Sequence, residues 1–288
     1  MSYLSDVRLR REAVPSFERY PFSLPAVRGL HRLELHRAVT YLVGENGSGK
    51  STLLEGIAVS LGFNAEGGSL GEVEFSTHAS HSELHEYLDA RPGRPRYGFF
   101  LRAESLFNLA TEIDRIDQEG WSRALPKRAI DYFGGRSLHE QSHGESFLAV
   151  FQNKLHGGML VLLDEPEAAL SPIRQMSFLT LLHRHVRSGA QFVIATHSPI
   201  VLAYPDAWIY QFGEEGVRRT AYEETEHYQV YRDFLNHRER SLRVLLGMRS
   251  DSDPSMRFTG RSEADVMDPS AASACVDGRF GADGLGMT

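Results

Sequence analysis

A loop that binds phosphate is the clearest chemical signal in the sequence. Residues 44–52 read GENGSGKST, which matches Gly-x-x-x-x-Gly-Lys-Ser, and they lie between an apolar stretch and a helical pattern. In such a loop the backbone N–H groups and the start of the following helix surround phosphate oxygens. A glycine-rich turn that binds nothing does not require this lysine and serine at this spacing. The sequence therefore predicts a P-loop.

Each residue of this loop has an expected role toward a nucleoside triphosphate. Lys50 is expected to reach the β- and γ-phosphates, Ser51 to bind Mg²⁺, and Thr52 to contact the α-phosphate. The rest of the loop is expected to hold the phosphates, and it consists of Gly44, Glu45, Asn46, Gly47, Ser48 and Gly49.

Two adjacent carboxylates follow a second apolar stretch. Residues 159–163 predict a strand, and Asp164 and Glu165 come directly after it. The carboxyl ends of strands are where open α/β sheets bind ligands. Asp164 fits the carboxylate that supports Mg²⁺ beside a P-loop, and Glu165 fits the base that orients and deprotonates an attacking water. Two solvated acids at a helix start are the alternative interpretation, which the P-loop upstream disfavours.

The elements that position these motifs follow from the apolar pattern. The predicted strands are unbroken apolar stretches, which is typical of strands covered on both faces. They lie at 38–43, 97–101, 159–163 and 191–195. The predicted helices lie at 50–61, 104–116, 145–155 and 172–187. This alternation predicts an α/β fold with a mainly parallel sheet flanked by helices.

The chain after Trp208 predicts a hairpin and a closing helix. The segments WIYQF and VRRTAY flank Gly213 and Gly216, and residues 223–246 predict the helix. From residue 248 onward small, polar and glycine-rich residues dominate without periodicity, which predicts a disordered tail. We expect a main domain over 1–222, a C-terminal helix over 223–247 and the tail over 248–288.

Composition limits the class of protein. The 288 residues carry 31 Lys plus Arg against 38 Asp plus Glu, a formal charge of −7, which does not indicate a basic coat for nucleic acid. The longest strongly apolar stretch, at 159–163, is far shorter than the about 18 residues of a membrane-spanning helix. The lone Cys275 cannot form an internal disulfide, and the first residues lack an apolar signal core. We expect a cytoplasmic protein that does not insert into a membrane.

Three further motifs resemble those of the ABC-type ATPases. QSHGES at 141–146 is similar to the signature motif, DEPEAALSP at 164–172 to the Walker B motif with its D-loop, and ATHSP at 195–199 to the switch-histidine motif. Their order and spacing agree with the family over roughly residues 27–212. The resemblance implies an ABC-ATPase-like fold with an antiparallel β subdomain and a helical signature subdomain at about 76–156.

The resemblance also implies that the catalytic sites form between two copies of the chain. Ser142, Gly144 and Glu145 would contact ATP held by the second subunit of a homodimer, because one chain cannot fold this helix start over its own P-loop. His143 stands where the family's signature has a glycine, which places bulk or charge beside phosphate. The D-loop residues Ala169, Leu170 and Ser171 would cross the interface.

The same resemblance implies an ATPase that converts ATP and water to ADP and phosphate. The catalytic residues are then Lys50, Glu165 and His197, and His197 would contact the γ-phosphate and the attacking water. Ser51 and Asp164 would be the ligands of Mg²⁺.

Details of these motifs resemble the non-transporter branch of the family. Transporter ATPases usually carry LSGGQ and DEPTSALD, whereas this chain has Glu145, Glu167 and Pro199 in the corresponding motifs. That branch includes small bacterial AAA and ABC ATPases, RecF-like and chromosome-maintenance ATPases, and the ATPase half of overcoming-lysogenization-defect nucleases. It favours an ATP-dependent dimerising switch that acts on DNA or on another protein, in DNA maintenance or defence. The alternative is the nucleotide-binding subunit of a transporter whose membrane part is a separate chain.

Two contacts of the family have no evident counterpart. The family's glutamine that couples the Mg²⁺ site to a partner lobe is not evident in the sequence, and the segment Arg102–Glu104 is our candidate for this coupling loop. The aromatic residue that would stack on adenine is also unassigned, with Tyr20, Phe22 and His36 as candidates.

Two weaker patterns resemble enzyme sites. HGESF suggests Ser146 as the nucleophile of a serine hydrolase, but Leu148 stands where the second glycine of that turn belongs. His78, His81 and His85 have a spacing that suits a metal, but they have no firm carboxylate or cysteine partner and favour a solvated helix.

Two charged patterns remain. Asp251 and Asp253 suggest a nuclease metal site, but the surrounding tail lacks strands that could hold one. A group of arginines favours a solvated face, although it is also the best candidate for contact with nucleic acid. It consists of Arg8, Arg10, Arg11 and Arg19.

Overall fold

Short strands and helices alternate along the part of the chain that the computed structural model describes, which is residues 3–70, 82–91, 95, 97–118, 128, 130–131, 134–213 and 216–247. The strands are β1 Asp6–Leu9, β2 Arg32–Glu34, β3 Val39–Gly44, β4 Gly68–Ser69, β5 Leu88–Arg91, β6 Gly98–Arg102, β7 Leu160–Asp164, β8 Gln191–Ala195, β9 Trp208–Gly213 and β10 Gly216–Thr220. The α-helices are α1 Pro25–Arg28, α2 Lys50–Leu61, α3 Leu106–Gln118, α4 His143–Asn153, α5 Pro172–Arg187, α6 Pro199–Leu202, α7 Glu226–Asn236 and α8 Arg238–Leu245.

Within the described residues, the main sheet has seven strands in the order β10-β9-β3-β8-β7-β6-β4. The strands from β9 to β6 pair in parallel, and the edge strands β10 and β4 are antiparallel to their neighbours. The prediction of a mainly parallel sheet in an α/β fold is confirmed. Because β3, β8 and β7 are neighbours, the segments that follow them meet at one edge of the sheet.

Both faces of this sheet are buried, which explains the unbroken apolar strands. Alternate residues such as Tyr41 and Phe192 face a core formed with α3, α4 and α5, in which Phe151 and Phe178 are completely buried. The intervening residues, such as Leu42, face a second core formed with α2 and the strands β1, β2 and β5. Those three strands form a separate antiparallel sheet in the order β2-β1-β5.

One buried side chain joins the two sheets. Gln191, the first residue of β8, accepts hydrogen bonds at Oε1 from the N–H groups of Tyr3 and Leu4, at 2.8 and 2.9 Å. Its Nε2 donates to the carbonyl oxygens of Leu4 and His36, at 2.7 and 2.9 Å. All the donors and acceptors of this amide are therefore directed at backbone groups beside the core.

The predicted helices agree closely with the structure, and α2 and α5 have the predicted bounds. The helix predicted at 145–155 runs instead from His143 to Asn153. Ser142 explains the earlier start, because its N–H donates to the Glu145 carboxylate at 3.0 Å and so satisfies a backbone group at the helix end.

The C-terminal part differs from the prediction of one helix over 223–246. A 3-10 turn at Tyr222–Glu224 precedes α7, and α7 and α8 are separated at His237, whose φ of −128° and ψ of 37° are not helical. Asn236 and His237 are weak helix formers, which explains why the helix is interrupted there although the apolar pattern continues. The first compact unit of the described chain extends to Gln229, and the second begins at Val230.

Some predictions lie outside the described residues. They concern His78, His81, the tail over 248–288 with Asp251 and Asp253, and Cys275. Within the described part of the chain, every helix is too short or too polar to cross a membrane.

Candidate functional site

The P-loop connects the end of β3 to the start of α2, and its glycines adopt backbone conformations that other residues rarely adopt. Gly49 has φ 95°, and a Cβ there would approach Leu24 and Ala26 to 3.1 and 3.2 Å. Gly44 has φ 152°, and a Cβ there would lie 2.5 Å from the carbonyl oxygen of Phe212. The glycines therefore allow the loop to curl tightly against its neighbours.

The tip and the floor of the loop differ in exposure. Glu45, Asn46 and Gly47 are exposed, whereas Ser48 and Gly49 are buried. The Ser48 hydroxyl is buried and has no hydrogen-bond partner among the described residues. Because a buried hydroxyl ordinarily needs a partner, this atom fits a loop built to receive an oxygen-rich ligand.

Lys50 lies inside the loop, with 4% of its surface exposed. Its Nζ donates to the carbonyl oxygens of Gly44 at 2.8 Å and of Glu45 at 3.0 Å. Burial lowers the pKa of Lys50, and the nearby carboxylates of Glu165 and Asp164 oppose this shift. The ammonium group is thus held where phosphate oxygens would enter the curl of the loop.

Ser51 and Asp164 meet beside the loop, although 113 positions separate them. Ser51 Oγ donates to Asp164 Oδ1 at 2.9 Å. Burial raises the pKa of Asp164 to about 6, while the Ser51 hydrogen bond and the Arg102 guanidinium oppose the shift. A hydroxyl and a carboxylate are hard oxygen donors of the kind that Mg²⁺ prefers, so this donor set fits a magnesium ion.

Arg102, in the candidate coupling segment, lies against the same carboxylate. Its Nε is 3.6 Å from Asp164 Oδ2, and its Nη1 donates to Glu55 Oε2 at 2.8 Å. A guanidinium has no acceptor atom and cannot bind a metal as a glutamine side chain would. Arg102 therefore contacts the Mg²⁺ candidate residues by charge alone.

Glu165 has an unusual backbone conformation at the end of β7. Its φ of 49° and ψ of 52° are left-handed, which few residues other than glycine adopt. Its N–H donates to the carbonyl oxygen of Ala195 at 2.9 Å, and its side chain is 41% exposed. The carboxylate faces the ring of His197, with Oε1 3.5 Å from Nε2.

His197 follows β8 and is fixed by Glu167, which is half-buried. Glu167 Oε2 accepts from Thr196 Oγ1 at 2.7 Å, and Glu167 Oε1 accepts from the His197 N–H. Burial raises the pKa of Glu167. The role of Glu167 in holding His197 was not predicted from the sequence, although a carboxylate two residues after Glu165 was the available signal.

A second histidine, His227, also belongs to this site and was not predicted. It is the second residue of α7, and its Nε2 lies 2.9 Å from His197 Nδ1. The two ring centroids are 5.1 Å apart. Helix periodicity at 223–246 gives no sign of this contact, because the contact depends on where the helix packs.

The signature motif makes its hydrogen bonds with α5. Arg174 Nη1 donates to Ser142 Oγ at 2.9 Å, and Arg174 Nη2 donates to Glu145 Oε1 at 3.0 Å. A Cβ on Gly144 would lie 2.7 Å from Nη1 of Arg174, so the glycine makes room for this arginine. Among the described residues, no hydrogen bond joins residues 142–145 to the P-loop of the same chain.

The candidates for stacking on adenine differ in accessibility. Phe22 is completely buried and packs against Tyr87 with ring centroids 4.9 Å apart, so it is unsuited to that role. His36 is half-buried beside Trp208. Tyr20 is 61% exposed.

Two D-loop residues and Ser146 are held by neighbouring elements. Ala169 closes the 3-10 turn Pro166–Ala169, and buried Leu170 accepts at its carbonyl oxygen from Gln175 Nε2 at 3.0 Å. Ser146 is buried and donates to the carbonyl oxygen of Leu138 at 2.7 Å, which is unlike an exposed nucleophile.

The described residues of the remaining weak patterns, one histidine and four arginines, make contacts within the protein. His85 Nδ1 lies 3.0 Å from the carbonyl oxygen of Ser82 in the 3-10 turn Glu83–Tyr87. Arg8 and Arg19 form ion pairs with Asp6 and Glu83. Arg10 and Arg11 donate to backbone carbonyls, of Glu86 and of Arg28 and Leu30 respectively.

Two family models match parts of the chain. One, described as "AAA domain, putative AbiEii toxin, Type IV TA system", matches residues 146–203, and another, described as "AAA domain", matches residues 21–93. The first match contains the Walker B and switch-histidine motifs, and the second contains the P-loop.

Curated relatives carry ATP-binding or ABC transporter names. The chain is 31% identical over 200 residues to the hemin import ATP-binding protein HmuV of Nocardia farcinica, covering 66% of this chain and 69% of that protein. It is 25% identical over 182 residues to the ABC transporter G family member STR2 of Medicago truncatula, covering 56% of this chain but 24% of that protein. The chain thus spans about a quarter of the length of the second relative.

A similar solved structure is the SMC head domain from Thermotoga maritima, which is 17% identical in sequence. The match covers 76% of this chain and 98% of that chain, with a TM-score of 0.40. The family rests on the sequence relatives and on the motifs placed above. The chain belongs to the superfamily of ABC-type P-loop ATPases.

Proposed function

We propose that this protein binds ATP with Mg²⁺, hydrolyses it, and uses the nucleotide to join two copies of the chain. The observation that carries the proposal is the meeting of Lys50, Asp164, Glu165 and His197 at neighbouring strand ends. In this arrangement Lys50 is placed to hold phosphate and Asp164 to hold the metal. Glu165 and His197 face each other, with a carboxylate oxygen 3.5 Å from a ring nitrogen.

The roles follow from the chemistry of each group. Lys50 exchanges its backbone acceptors for phosphate oxygens. Ser51 and Asp164 would hold Mg²⁺, which would supply positive charge that offsets the phosphate charge. Glu165 accepts a proton from the attacking water, and His197 donates a hydrogen bond to the γ-phosphate. The αL backbone of Glu165 turns its carboxylate toward His197.

Dimerisation is supported by the location of the signature motif. Its hydrogen bonds run to Arg174 and not to the P-loop of the same chain. Ile173 and Met176 of α5, just after the D-loop, are 73% and 54% exposed. A second subunit that presents its nucleotide to Ser142 would cover these apolar side chains.

The test uses the Glu165→Gln variant. We expect hydrolysis to fall at least about 100-fold, because the amide cannot accept the proton, while ATP binding is kept. Size-exclusion chromatography with ATP and Mg²⁺ should then give a dimer. Glu223→Gln, which changes an exposed glutamate, should behave as the wild type.

The double variant Lys50→Ala with Glu165→Gln distinguishes the steps. It should bind no ATP and remain a monomer, because Lys50 is the cation inside the loop. A Glu165→Gln protein that binds ATP but elutes only as a monomer contradicts the proposed dimer. A Lys50→Ala protein that hydrolyses ATP normally contradicts the site.

The cellular role that we propose is a switch acting on DNA or on a protein partner, as the Glu145, Glu167 and Pro199 pattern favours. A transporter subunit is the second candidate, and the identity with HmuV of N. farcinica supports it. Affinity capture with the trapped Glu165→Gln dimer separates the two, since a polytopic membrane protein would favour transport. ATP-dependent retardation of a duplex DNA by the trapped dimer would favour the switch.

A further inference from the structure

The contact between His197 and His227 defines the environment of both ring nitrogens of His197. On one side, Nδ1 lies 2.9 Å from His227 Nε2. On the other, Nε2 lies 3.5 Å from Glu165 Oε1, has no hydrogen-bond partner among the described residues, and is buried. His197 therefore joins the start of α7 to the candidate catalytic carboxylate.

The start of α7 is held firmly against the segment that carries His197. Tyr222 donates from its hydroxyl to the carbonyl oxygen of Pro199 at 2.9 Å, two residues after His197. Thr225 is buried, and its Oγ1 accepts from the Tyr228 N–H at 3.3 Å in the first turn of the helix. These contacts, on both sides of His227 in the sequence, fix its ring beside His197.

The proton positions follow from the partners of each nitrogen. Burial, with the charge of Lys50 and the ring of His227, lowers the pKa of His197 to about 4, so the ring is neutral at pH 7. A neutral imidazole has one N–H and one lone pair. A lone pair at Nε2 would face the Glu165 carboxylate, which has only lone pairs to offer. The N–H therefore belongs at Nε2, and Nδ1 must accept from an N–H of His227.

We propose that His227 is a positioning residue, whose Nε2–H fixes His197 in the tautomer that presents an Nε2–H donor to the γ-phosphate. The proposal rests on the proposed function of His197 in ATP hydrolysis. It makes the first turn of α7 a part of the catalytic site, although that turn lies outside the motifs that define the family.

The first test measures the tautomer without any reaction. Long-range ¹H–¹⁵N correlation spectra of protein labelled with ¹⁵N-histidine distinguish protonated from unprotonated ring nitrogens. We expect His197 to carry its proton at Nε2 in the wild type. A His197 protonated at Nδ1 overturns the proposal, whether or not the protein hydrolyses ATP.

Two variants of His227 separate the hydrogen bond from the volume of the ring. His227→Leu removes the donor, and the His197 signals should then report a mixture of tautomers. His227→Gln places an N–H donor the same number of bonds from Cβ, so the wild-type tautomer should return. A His227→Leu spectrum with the His197 tautomer unchanged contradicts the proposal.

The second test is kinetic. For a partner that orients a histidine, we expect His227→Leu to lower kcat about 10- to 100-fold, with KM for ATP changed less than about threefold. His227→Gln should recover most of kcat. Gln229→Leu, an exposed change in the same helix turn, is the control. Equal losses in the Leu and Gln variants, with unfolding temperatures like that of the wild type, contradict the proposal.

The two tests fail in different ways. A wild type that shows the expected tautomer but never hydrolyses ATP contradicts the proposed function and leaves the hydrogen bond in place. A wild type that hydrolyses ATP with the opposite tautomer contradicts only the role of His227. If His227→Leu does not fold, the spectra of the wild type and of His227→Gln still test the tautomer of His197.

Discussion

Burial shifts the protonation of individual side chains in this protein, at the site and in the core. His185 shows this without the complication of a ligand. It is buried on α5, its Nε2 lies 3.1 Å from the carbonyl oxygen of Phe151, and its ring packs on Phe151 with centroids 5.5 Å apart. Burial lowers the pKa of His185 below its usual value of 6.5, and the charge of Arg184 adds to the shift. The charged form is therefore disfavoured in the folded state.

This lowered pKa predicts a pH dependence of stability. Below about pH 6.5 the unfolded chain binds a proton at His185 that the folded chain resists, so stability falls as pH drops toward the folded pKa. His185→Gln keeps an N–H donor but cannot be protonated. Thermal unfolding at pH 7.5 and pH 5 should show a larger loss for the wild type than for this variant. An equal loss in both proteins would show that His185 does not titrate as inferred.

At the scale of elements, a close approach of two turns helps to set how α5 leads into β8. Gly157 lies between α4 and β7, and a Cβ there would stand 2.3 Å from the carbonyl oxygen of Ser188, the residue after α5. Backbone atoms cannot swing aside as the end of a long side chain can. The turn before β7 and the end of α5 are therefore packed at a distance that only glycine allows.

The Gly157→Ala variant should be destabilised by about 1–3 kcal/mol, because the added methyl group forces the two turns apart. Gly213→Ala is the matched control, since a Cβ there would meet nothing within 4 Å. Its effect should stay within about 0.5 kcal/mol. Urea unfolding of both variants measures the difference, and equal stabilities would contradict the close approach.

A feature could be predicted from the sequence where neighbouring residues determine it, and could not where contacts between distant residues determine it. The P-loop, Asp164 and the strands β3, β6, β7 and β8 were predicted because apolar stretches and short motifs carry them. The edge strand β4, Gly68–Ser69, was not predicted, because two residues form no apolar pattern. The contact of His227 was not predicted either, because a helix pattern does not say what the first turn of the helix packs against. Phe22 illustrates the converse, since an aromatic residue near the P-loop proved to belong to the core.

At the scale of the whole molecule, Gln191 connects the antiparallel sheet to the parallel one. A single glutamine at a strand start reads in the sequence as a polar boundary residue, and its four hydrogen bonds depend on residues far away along the chain. Its neighbour in kind, Gln211 of β9, is also buried, but its Oε1 has no hydrogen-bond partner among the described residues.

Replacing each glutamine by leucine should change the free energy of unfolding by very different amounts. Gln191→Leu removes four hydrogen bonds between this amide and backbone groups and should lower the free energy of unfolding by at least about 3 kcal/mol. Gln211→Leu removes an amide whose oxygen is already unpaired and should change stability by less than about 1 kcal/mol. Chemical denaturation of both variants tests this. A Gln191→Leu protein as stable as the wild type would contradict the connecting role.

The Gln191 amide also determines when this part of the fold can form during synthesis. Gln191 is 188 positions from Tyr3 and 187 from Leu4. At about 5–20 residues per second, a ribosome needs roughly 10–40 s to add that length of chain. The segment that leads into β1 is translated before Gln191, and its hydrogen bonds to the amide cannot form until this intervening length of chain has been added. During that interval a nascent chain would present this segment to chaperones or to other nascent chains.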